Sequence, residues 1–541
     1  MAPESVDVII VGCGPVGAMA ANLLGQQGAR TLVVEREATP HGQSRAFSLD
    51  DEGQRIFQSA GLAGNLGPGF FPCKRLQYLD DSLRSLAEVD FLGLDRPFGY
   101  VPAAFFEQPR MEAALRQGMK RYPHVDLWLG HEVESFVQDE EGITVRVTSL
   151  REERAVNVRA RYLLACDGSH SSIRRRLGLK LEGTTALEHS LAINLKTASP
   201  EPEIASYLCG PVRRGFIART SATEIRMDII LEPDADLKAA REMDNVRRII
   251  SYYVDPAAVE VDAVKIFSYH SRMSEKWRVG RVFLLGDAAH LMPPFLGQGL
   301  CAGLRDAANL SWKLGRVLAG AADADLLDSY EEERRGHVAE IIRGSDAMGR
   351  VMMSGGRVAA RARNALIQIL YRLPVTGDFI RQYKVKPQMP LRRGFMLGAR
   401  REKGDVPEGS YFPQPRVEGP DGGPALLDDC LGEGFVVLTR PGASQDTQRD
   451  AQALVDELGA RWLRVSPAAR AGDGRPDAVV DLEGRLGAWF SQYAADLVVL
   501  RPDRYVFGVS GGGKRGHLLG SLKGRIRPQA RRKGTEVRRA G

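Results

Sequence analysis

The hydrophobic pattern begins with a short β-branched run at residues 6–11, passes through Gly12-Cys13-Gly14-Pro15-Val16-Gly17, and continues into residues 18–27, whose alanine and leucine favour helix. Residues 31–35 are β-branched and apolar again, so the start of the chain reads as a βαβ unit. Strand-like runs recur at 162–166 and 282–285, and each ends where an acid meets a glycine, at Asp167-Gly168 and at Gly286-Asp287. Open α/β sheets present groups to ligands at the carboxyl ends of their strands.

Between these runs, residues 185–275 alternate short β-type segments with turns, which predicts a separate and mostly antiparallel sheet. Leu310, Leu314, Val317 and Leu318 then recur at helical spacing, and a charged helix is predicted over 330–346. Proline and glycine cluster over 404–424 and mark a linker. Beyond it, strand-like runs at 435–438, 462–465, 479–482, 497–500 and 505–509, with helical runs at 447–458 and 486–493, predict a compact α/β unit.

Composition changes this picture little. A chain of 541 residues with 43% apolar and 26% charged positions has the make-up of an ordinary globular protein, so composition selects no function class. No apolar run approaches the ~18 residues of a membrane span, and no basic-then-apolar leader precedes the first glycines, so a cytoplasmic protein is expected. The six cysteines show neither CxxC nor metal-ligand spacing, which indicates no disulfide framework and no metal site. The net charge of +6 is misleading. Ten lysines and arginines fall within residues 514–541 against the single acid Glu536, so the rest of the chain is slightly acidic. The excess reads as a disordered basic tail rather than a nucleic-acid surface.

The chemistry lies in the motifs. Gly12, Gly14 and Gly17 fit G-x-G-x-x-G between a strand and a helix, with Glu35 a further 21 residues beyond Gly14. The first glycine permits the turn, the second lets a pyrophosphate approach the backbone, and the third lets helix pack on strand. The helix start attracts the phosphates, and Glu35 accepts from a ribose hydroxyl. The glycines alone do not distinguish NAD from FAD. The stretch GDAAHLMPPFLGQGLCAGLRD, from Gly286 to Asp306, supplies what the longer nucleotide needs. Asp287 offers an anionic acceptor to a polyhydroxylated linker, and Gly297 and Gly299 let a flat ring approach backbone N–H groups. The competing reading of Asp287 is a cap on the segment that follows it.

Taken in order, Gly12-x-Gly14-x-x-Gly17, Asp167-Gly168-x-x-Ser171-x-x-Arg174, Gly286-Asp287-Ala288-Ala289-His290, Pro293-Pro294-x-x-Gly297-Gln298-Gly299 and Asp306-x-x-Asn309-Leu310-x-Trp312-Lys313-Leu314 resemble the single-component FAD-dependent aromatic hydroxylases, the para-hydroxybenzoate hydroxylase superfamily. The resemblance spans about residues 5–350. Within the superfamily the chain is most similar to 3-(3-hydroxyphenyl)propionate hydroxylases, through Arg45-Ala46, residues 48–52, Phe106-x-Gln108-Pro109 and residues 163–168.

The resemblance implies that Gly12, Gly14, Pro15, Val16, Gly17, Glu35 and Arg36 bind the ADP half of FAD, with Arg45 and Gln108 nearby. It implies that Asp287 holds the ribityl chain, and that Pro294, Gly297, Gln298, Gly299, Leu300 and Cys301 line the flavin ring. Asp167 in such enzymes touches FAD indirectly and serves the reduced nicotinamide. Cys301 departs from the pattern, which more often has asparagine there; its thiol is a weaker donor, and it reads as a small buried filler. Tyr269, His270 and His290 are the candidates for acid–base work, although position in a motif does not establish geometry. Arg213 and Arg214 are the candidates for a substrate carboxylate, against the plainer reading of surface charge.

The expected fold is therefore α/β: a Rossmann-type FAD-binding domain (1–184, with a substrate-facing insert near 75–105, and 276–350), an antiparallel-sheet substrate domain (185–275), a helical connection (351–403), and a thioredoxin-like domain without CxxC (404–513) ahead of the basic tail (514–541). The implied activity is hydroxylation of a small phenolic substrate with NADH or NADPH and O2, oxygen adding at flavin C4a, and no catalytic triad is expected because the flavin carries the hard step. The last domain is left with packing or contact in a homodimer. Other readings stay open: an aromatic polyketide hydroxylase of antibiotic biosynthesis, a flavin-dependent halogenase or dehydrogenase, and a flavin-binding protein that does not hydroxylate.

Overall fold

In a computed structural model of the chain, the described residues are 5–39, 46–66, 70–198, 204–211, 213–353, 356–384, 386, 390–398, 407–468, 476–511, 517–522 and 526. The chain divides into two compact units. The first takes residues 1–96, 100–308 and 335–389, and the second takes 97–99, 309–334 and 390–541.

The first unit is built on two sheets. In one, the strands Thr31–Glu35, Ser5–Val11, Ala155–Ala165 and Val282–Leu284 lie side by side and parallel, with Val125–Leu129 added beside the first of them. Three of these strands read as almost continuous apolar runs because both faces are covered: Val8, Ile9, Ile10, Leu163, Leu164, Val282 and Phe283 are all at 0% exposure. The helix Pro15–Gln26 follows the first strand after the glycine turn, so the βαβ unit is as expected.

The second sheet runs in the order His290–Leu291, Val259–Ser274, Leu181–Thr197, Glu224–Leu231, Arg214–Arg219, Ile204–Cys209, Arg75–Leu79, Ser85–Asp90. It is larger than the sheet expected over 185–275. Residues 75–79 enter it by parallel pairing with 204–208, and the two-residue strand at 290–291 closes its other edge. On one face, Leu191, Ile193, Ile225, Met227 and Ile229 pack with Val246 and Ile250 of the helix Met243–Ile250. Alternation then sends the even-numbered side chains of Glu224–Leu231 to the other face.

The second unit holds a seven-stranded mixed sheet, Pro424–Leu426, Arg416–Glu418, Ala478–Asp481, Arg461–Pro467, Val436–Thr439, Leu497–Leu500, Val506–Ser510. The expected linker at 404–424 is in part this sheet's edge, because Val417 faces Ala425 in a hairpin and Asp481 on its other side. Within the expected tail, His517–Leu522 is helical; residues 514–516, 523–525 and 527–541 lie outside the described residues. Asn309, Lys313, Glu333, Arg501 and Asp503 form a buried polar cluster in this unit. Glu333 accepts from Lys313 Nζ at 2.8 Å, from Arg501 at 2.8 and 2.9 Å, from Asn309 Nδ2 at 2.6 Å and from the Phe395 N–H at 2.7 Å. No helix among the described residues is long and apolar enough to cross a membrane.

Candidate functional site

Register brings the sequence motifs together. Val11 pairs with Val34 on one side and Ala165 on the other, and Ala165 pairs with Leu284, so Gly12, Glu35, Asp167 and Asp287 all emerge at the carboxyl edge of adjacent parallel strands. Gly12 has φ +98°, and a Cβ there would stand 2.4 Å from the Cys166 carbonyl oxygen, so no other residue fits. A Cβ on Gly14 would meet nothing within 4 Å: this glycine faces open ground before the helix Pro15–Gln26. That helix start has no side-chain cap and no acid in its first turn, which leaves its N–H groups and positive dipole end for an anion. Val16 reaches across to the next motif, with its Cγ2 3.0 Å from where a Gly286 Cβ would be and 2.6 Å from that of Gly303.

Glu35 Oε2 accepts from the Cys13 N–H at 2.6 Å, which holds the carboxylate against the glycine turn. Arg36 is exposed and pairs with Glu37 at 3.2 Å. Gln108 is buried; its Oε1 accepts from the Ala46 N–H at 2.9 Å and its Nε2 donates to Glu112 at 2.8 Å. Arg45 lies outside the described residues.

Ser171 caps the helix Ser172–Arg176, and Asp167 accepts from the Ser172 and Ile173 N–H groups at 2.7 and 3.1 Å, while its Oδ1 is buried with no hydrogen-bond partner among the described residues. Arg174, at the end of the same motif, donates to the Ala288 carbonyl at 2.9 Å and to the Ser169 carbonyl at 2.9 Å. The two turns are thereby locked to each other. Asp287 is exposed at the strand end, whereas its neighbour His290 is 1% exposed, bonded through Nε2 to Asp306 Oδ2 at 2.8 Å and stacked on Trp277 at 5.1 Å. Asp306 Oδ2 also accepts the Gly286 N–H at 3.0 Å. The geometry of His290 is that of a buttress for the turn.

The segment after Asp287 turns at Gly297, φ +64°, and enters the helix Gly299–Leu318, with Gly299 and Leu300 as its first residues. Pro294 is exposed, and Gln298 is fixed by Arg305, whose Nη1 donates to its Oε1 at 3.1 Å. Cys301 is fully buried with its thiol directed to the Gly297 carbonyl at 3.7 Å, and burial pushes that thiol well above its usual range. Beneath this turn lies a charge cluster. Arg305 binds Asp50 and Glu52, and Lys386 binds Asp51 and Asp50. Burial, opposed by Lys386 and aided by Asp50 and Glu52, pushes Asp51 up to about 6.

Residues 294–298 form one wall of a cavity that opens in part to solvent. Its other walls include the aromatic residues Phe47, Phe91, Phe105, Tyr207, Phe216 and Tyr269, with Asp228, Asp50 and Lys386 as its charged groups among the described lining residues. Tyr269 thus reaches the cavity, and burial raises its hydroxyl pKa. His270, one residue on, alternates away; it bonds Thr185 at 3.0 Å, and burial together with Arg272 and His170 lowers its pKa. Neither arginine candidate lines the cavity. Arg213 lies over the Tyr252 ring at 4.3 Å, and Arg214, 2% exposed, pairs with Glu232 at 2.5 Å. Asp228 and Lys386 were not singled out from sequence. For Asp228 a signal was there, since Glu224, Arg226 and Asp228 alternate with Ile225, Met227 and Ile229; for Lys386 there was none.

An uncapped helix start behind an open glycine, a carboxylate at the second strand, an exposed acid at the fourth strand end and a cavity beside the Gly297 turn are the donor and acceptor set that FAD requires. Residues 5–345 match the family described as FAD binding domain, and residues 409–525 match the HcaD C-terminal domain. The chain is 36% identical over 514 residues to a 3-(3-hydroxy-phenyl)propionate/3-hydroxycinnamic acid hydroxylase of Mycobacterium sp. (strain JLS), covering 93% of this chain and 89% of that protein. It is 34% identical to the protein of the same name from Escherichia coli O81 (strain ED1a), covering 93% and 91%. Among solved structures, the flavin-dependent monooxygenase PieE in complex with FAD and substrate shares the fold, with a TM-score of 0.78 at 24% identity over 96% of this chain and 99% of that one. OxyS anhydrotetracycline hydroxylase from Streptomyces rimosus aligns with a TM-score of 0.71 at 26% identity over 97% and 100%. On the motif geometry and these similarities together, the chain belongs to the FAD binding domain family and is an FAD-dependent aromatic hydroxylase.

Proposed function

We propose that the protein hydroxylates a hydroxyphenyl-alkanoate of the 3-(3-hydroxyphenyl)propionate class to the corresponding catechol, using NADH or NADPH and O2. The observation that carries this reading is the cavity lined by Phe47, Phe91, Phe105, Tyr207, Phe216 and Tyr269, with the Pro294–Gln298 turn as one wall. A ring-shaped substrate held there lies beside the residues assigned to the flavin, against walls that are mainly apolar.

In this reading Gly12, Gly14, Pro15, Val16, Gly17, Glu35 and Arg36 hold the ADP half, aided by Arg45 and Gln108, Asp287 holds the ribityl chain, and Pro294, Gly297, Gln298, Gly299, Leu300 and the backbone of Cys301 border the ring. When bound, FAD supplies electron transfer from the nicotinamide and the activation of O2. The protein's part is to orient the substrate, exclude water and place hydrogen-bond acceptors. Residues 404–513 are read as a thioredoxin-like domain without dithiol chemistry, serving packing or homodimer contact, and the protein as cytoplasmic.

The test is a panel of phenols incubated with the FAD-loaded protein, NAD(P)H and O2, with product read by mass spectrometry and peroxide measured alongside. 3-(3-hydroxyphenyl)propionate is expected to accelerate NAD(P)H oxidation and to appear as a catechol. An unchanged substrate pool with peroxide accumulating would overturn the assignment.

A further inference from the structure

Glu224–Leu231 sends Arg226, Asp228 and Ile230 to the face opposite the helix-covered core, and Asp228 and Ile230 both line the aromatic cavity. Asp228 is held from behind. Arg226 Nε donates to Asp228 Oδ1 at 3.0 Å and Arg226 Nη2 stands 2.9 Å from the same oxygen, while Arg226 Nη1 donates to Asn194 Oδ1 at 2.8 Å. Both contacts fall on Oδ1, and among the described residues no hydrogen bond reaches Oδ2. Three other polar groups of the lining are committed. Asp50 serves Arg305, Lys386 and the Gly53 N–H, the Tyr207 hydroxyl donates to the Phe295 carbonyl at 2.5 Å, and the Gln298 carbonyl oxygen accepts from Arg305.

We propose that Asp228 Oδ2 accepts the hydrogen bond of the substrate's phenolic O–H and so fixes which ring carbon faces the flavin. The proposal rests on the phenol reading above. A carboxylate oxygen in an apolar, aromatic box gains most by pairing with a donor, and a phenol is the donor the substrate class carries. The same bond draws electron density onto the ring, raising the nucleophilicity of the carbons ortho and para to the hydroxyl. Arg226 offsets the cost of burying the carboxylate and keeps it from rotating, and the Phe47 and Phe267 rings, each 5.9 Å away, flank its guanidinium. A charge-assisted bond of this kind corresponds to a preference of about tenfold to a hundredfold for the phenol over its methyl ether.

The experiment compares 3-(3-hydroxyphenyl)propionate with 3-(3-methoxyphenyl)propionate, dissociation constants being read from the perturbed absorbance of bound FAD. The wild-type holoenzyme, Asp228→Asn and Asp228→Ser are measured. Wild type is expected to prefer the phenol by that factor. Both Asp228 variants are expected to lose the preference by weakening the phenol alone, with FAD retained. A preference that survives in Asp228→Asn, or that is missing in the wild type, overturns the proposal. So does loss of FAD by both Asp228 variants, which would assign the residue to the fold. Phenol against anisole is run in parallel. A preference for phenol that disappears in Asp228→Asn supports the role even when neither propionate binds, and that outcome overturns only the propionate assignment.

Discussion

The guanidinium of Arg174 donates to the carbonyl oxygen of Ala288 at 2.9 Å, joining the turn that carries Asp167 to the turn that carries Asp287. Arg174 is 6% exposed, so its removal would leave the Ala288 and Ser169 carbonyls without their donor in a buried setting. Arg174→Leu is expected to cost about 2–4 kcal/mol in urea unfolding and to lower the flavin-to-protein absorbance ratio. Arg174→Lys is expected to rescue little, because an ammonium cannot serve two diverging carbonyls as the planar fork does.

Two glycines of the first motif separate folding from cofactor binding. Gly12→Ala sets a Cβ 2.4 Å from the Cys166 oxygen at φ +98° and is expected to destabilise the apoprotein by about 3 kcal/mol or more. Gly14→Ala meets no protein atom within 4 Å, so the apoprotein should melt as the wild type does. Its methyl group would intrude where a pyrophosphate must approach, and FAD affinity should fall at least about tenfold by fluorescence titration. Equal FAD affinity in Gly14→Ala and wild type would remove the dinucleotide from this turn.

His290 is expected to act on stability and not on proton transfer. His290→Phe takes from Asp306, itself at 0% exposure, its imidazole partner, at a cost of about 1–3 kcal/mol. The pH profile of turnover at saturating substrate should keep its wild-type shape. A lost limb in that profile would restore His290 as an acid–base group.

Glu333 links the second unit's stability to acid. Burial alone would raise its pKa, but Arg501 and then Lys313 outweigh burial and hold it down at about 2, against 4.5 ordinarily. A carboxylate depressed on folding contributes fully above pH 4.5 and loses that contribution as pH falls towards 2, here about 3 kcal/mol. Glu333→Gln should destabilise the protein by about 3–5 kcal/mol at neutral pH, because Lys313 and Arg501 then stay buried beside a neutral amide. It should also flatten the decline between pH 4.5 and 2 when unfolding is followed by tryptophan fluorescence.

What could be read from sequence was what depends on neighbours along the chain. The turn at Gly12, the carboxylate of Glu35, and the acids after residues 165 and 284 announce themselves because strand, glycine and acid are contiguous, and parallel pairing then sets them on one edge. The entry of 75–79 into the second sheet was not legible, since its partner strand lies more than a hundred residues away and parallel pairing leaves no local turn signal. Arg213 and Arg214 show a limit of another kind. Two adjacent cations look like a carboxylate site, yet alternation along the strand edge sends them to different surroundings, one over Tyr252 and one to Glu232. Lys386 carries no pattern of its own; only the fold sets it beside Asp50 and Asp51.

The second unit is assembled from stretches far apart in the chain, 97–99, 309–334 and 390–541, and its buried charges are drawn from more than one of them. The C-terminal portion is therefore no appendage. A polypeptide ended near residue 403 would still contain Lys313 and Glu333 but would lack Arg501, stranding ions in an interior missing its counterpart. Grafting the last portion onto another enzyme, or deleting it to make a smaller one, parts Arg501 from Glu333 and Lys313, so trimmed or chimeric versions have to carry the 309–334 segment along with it.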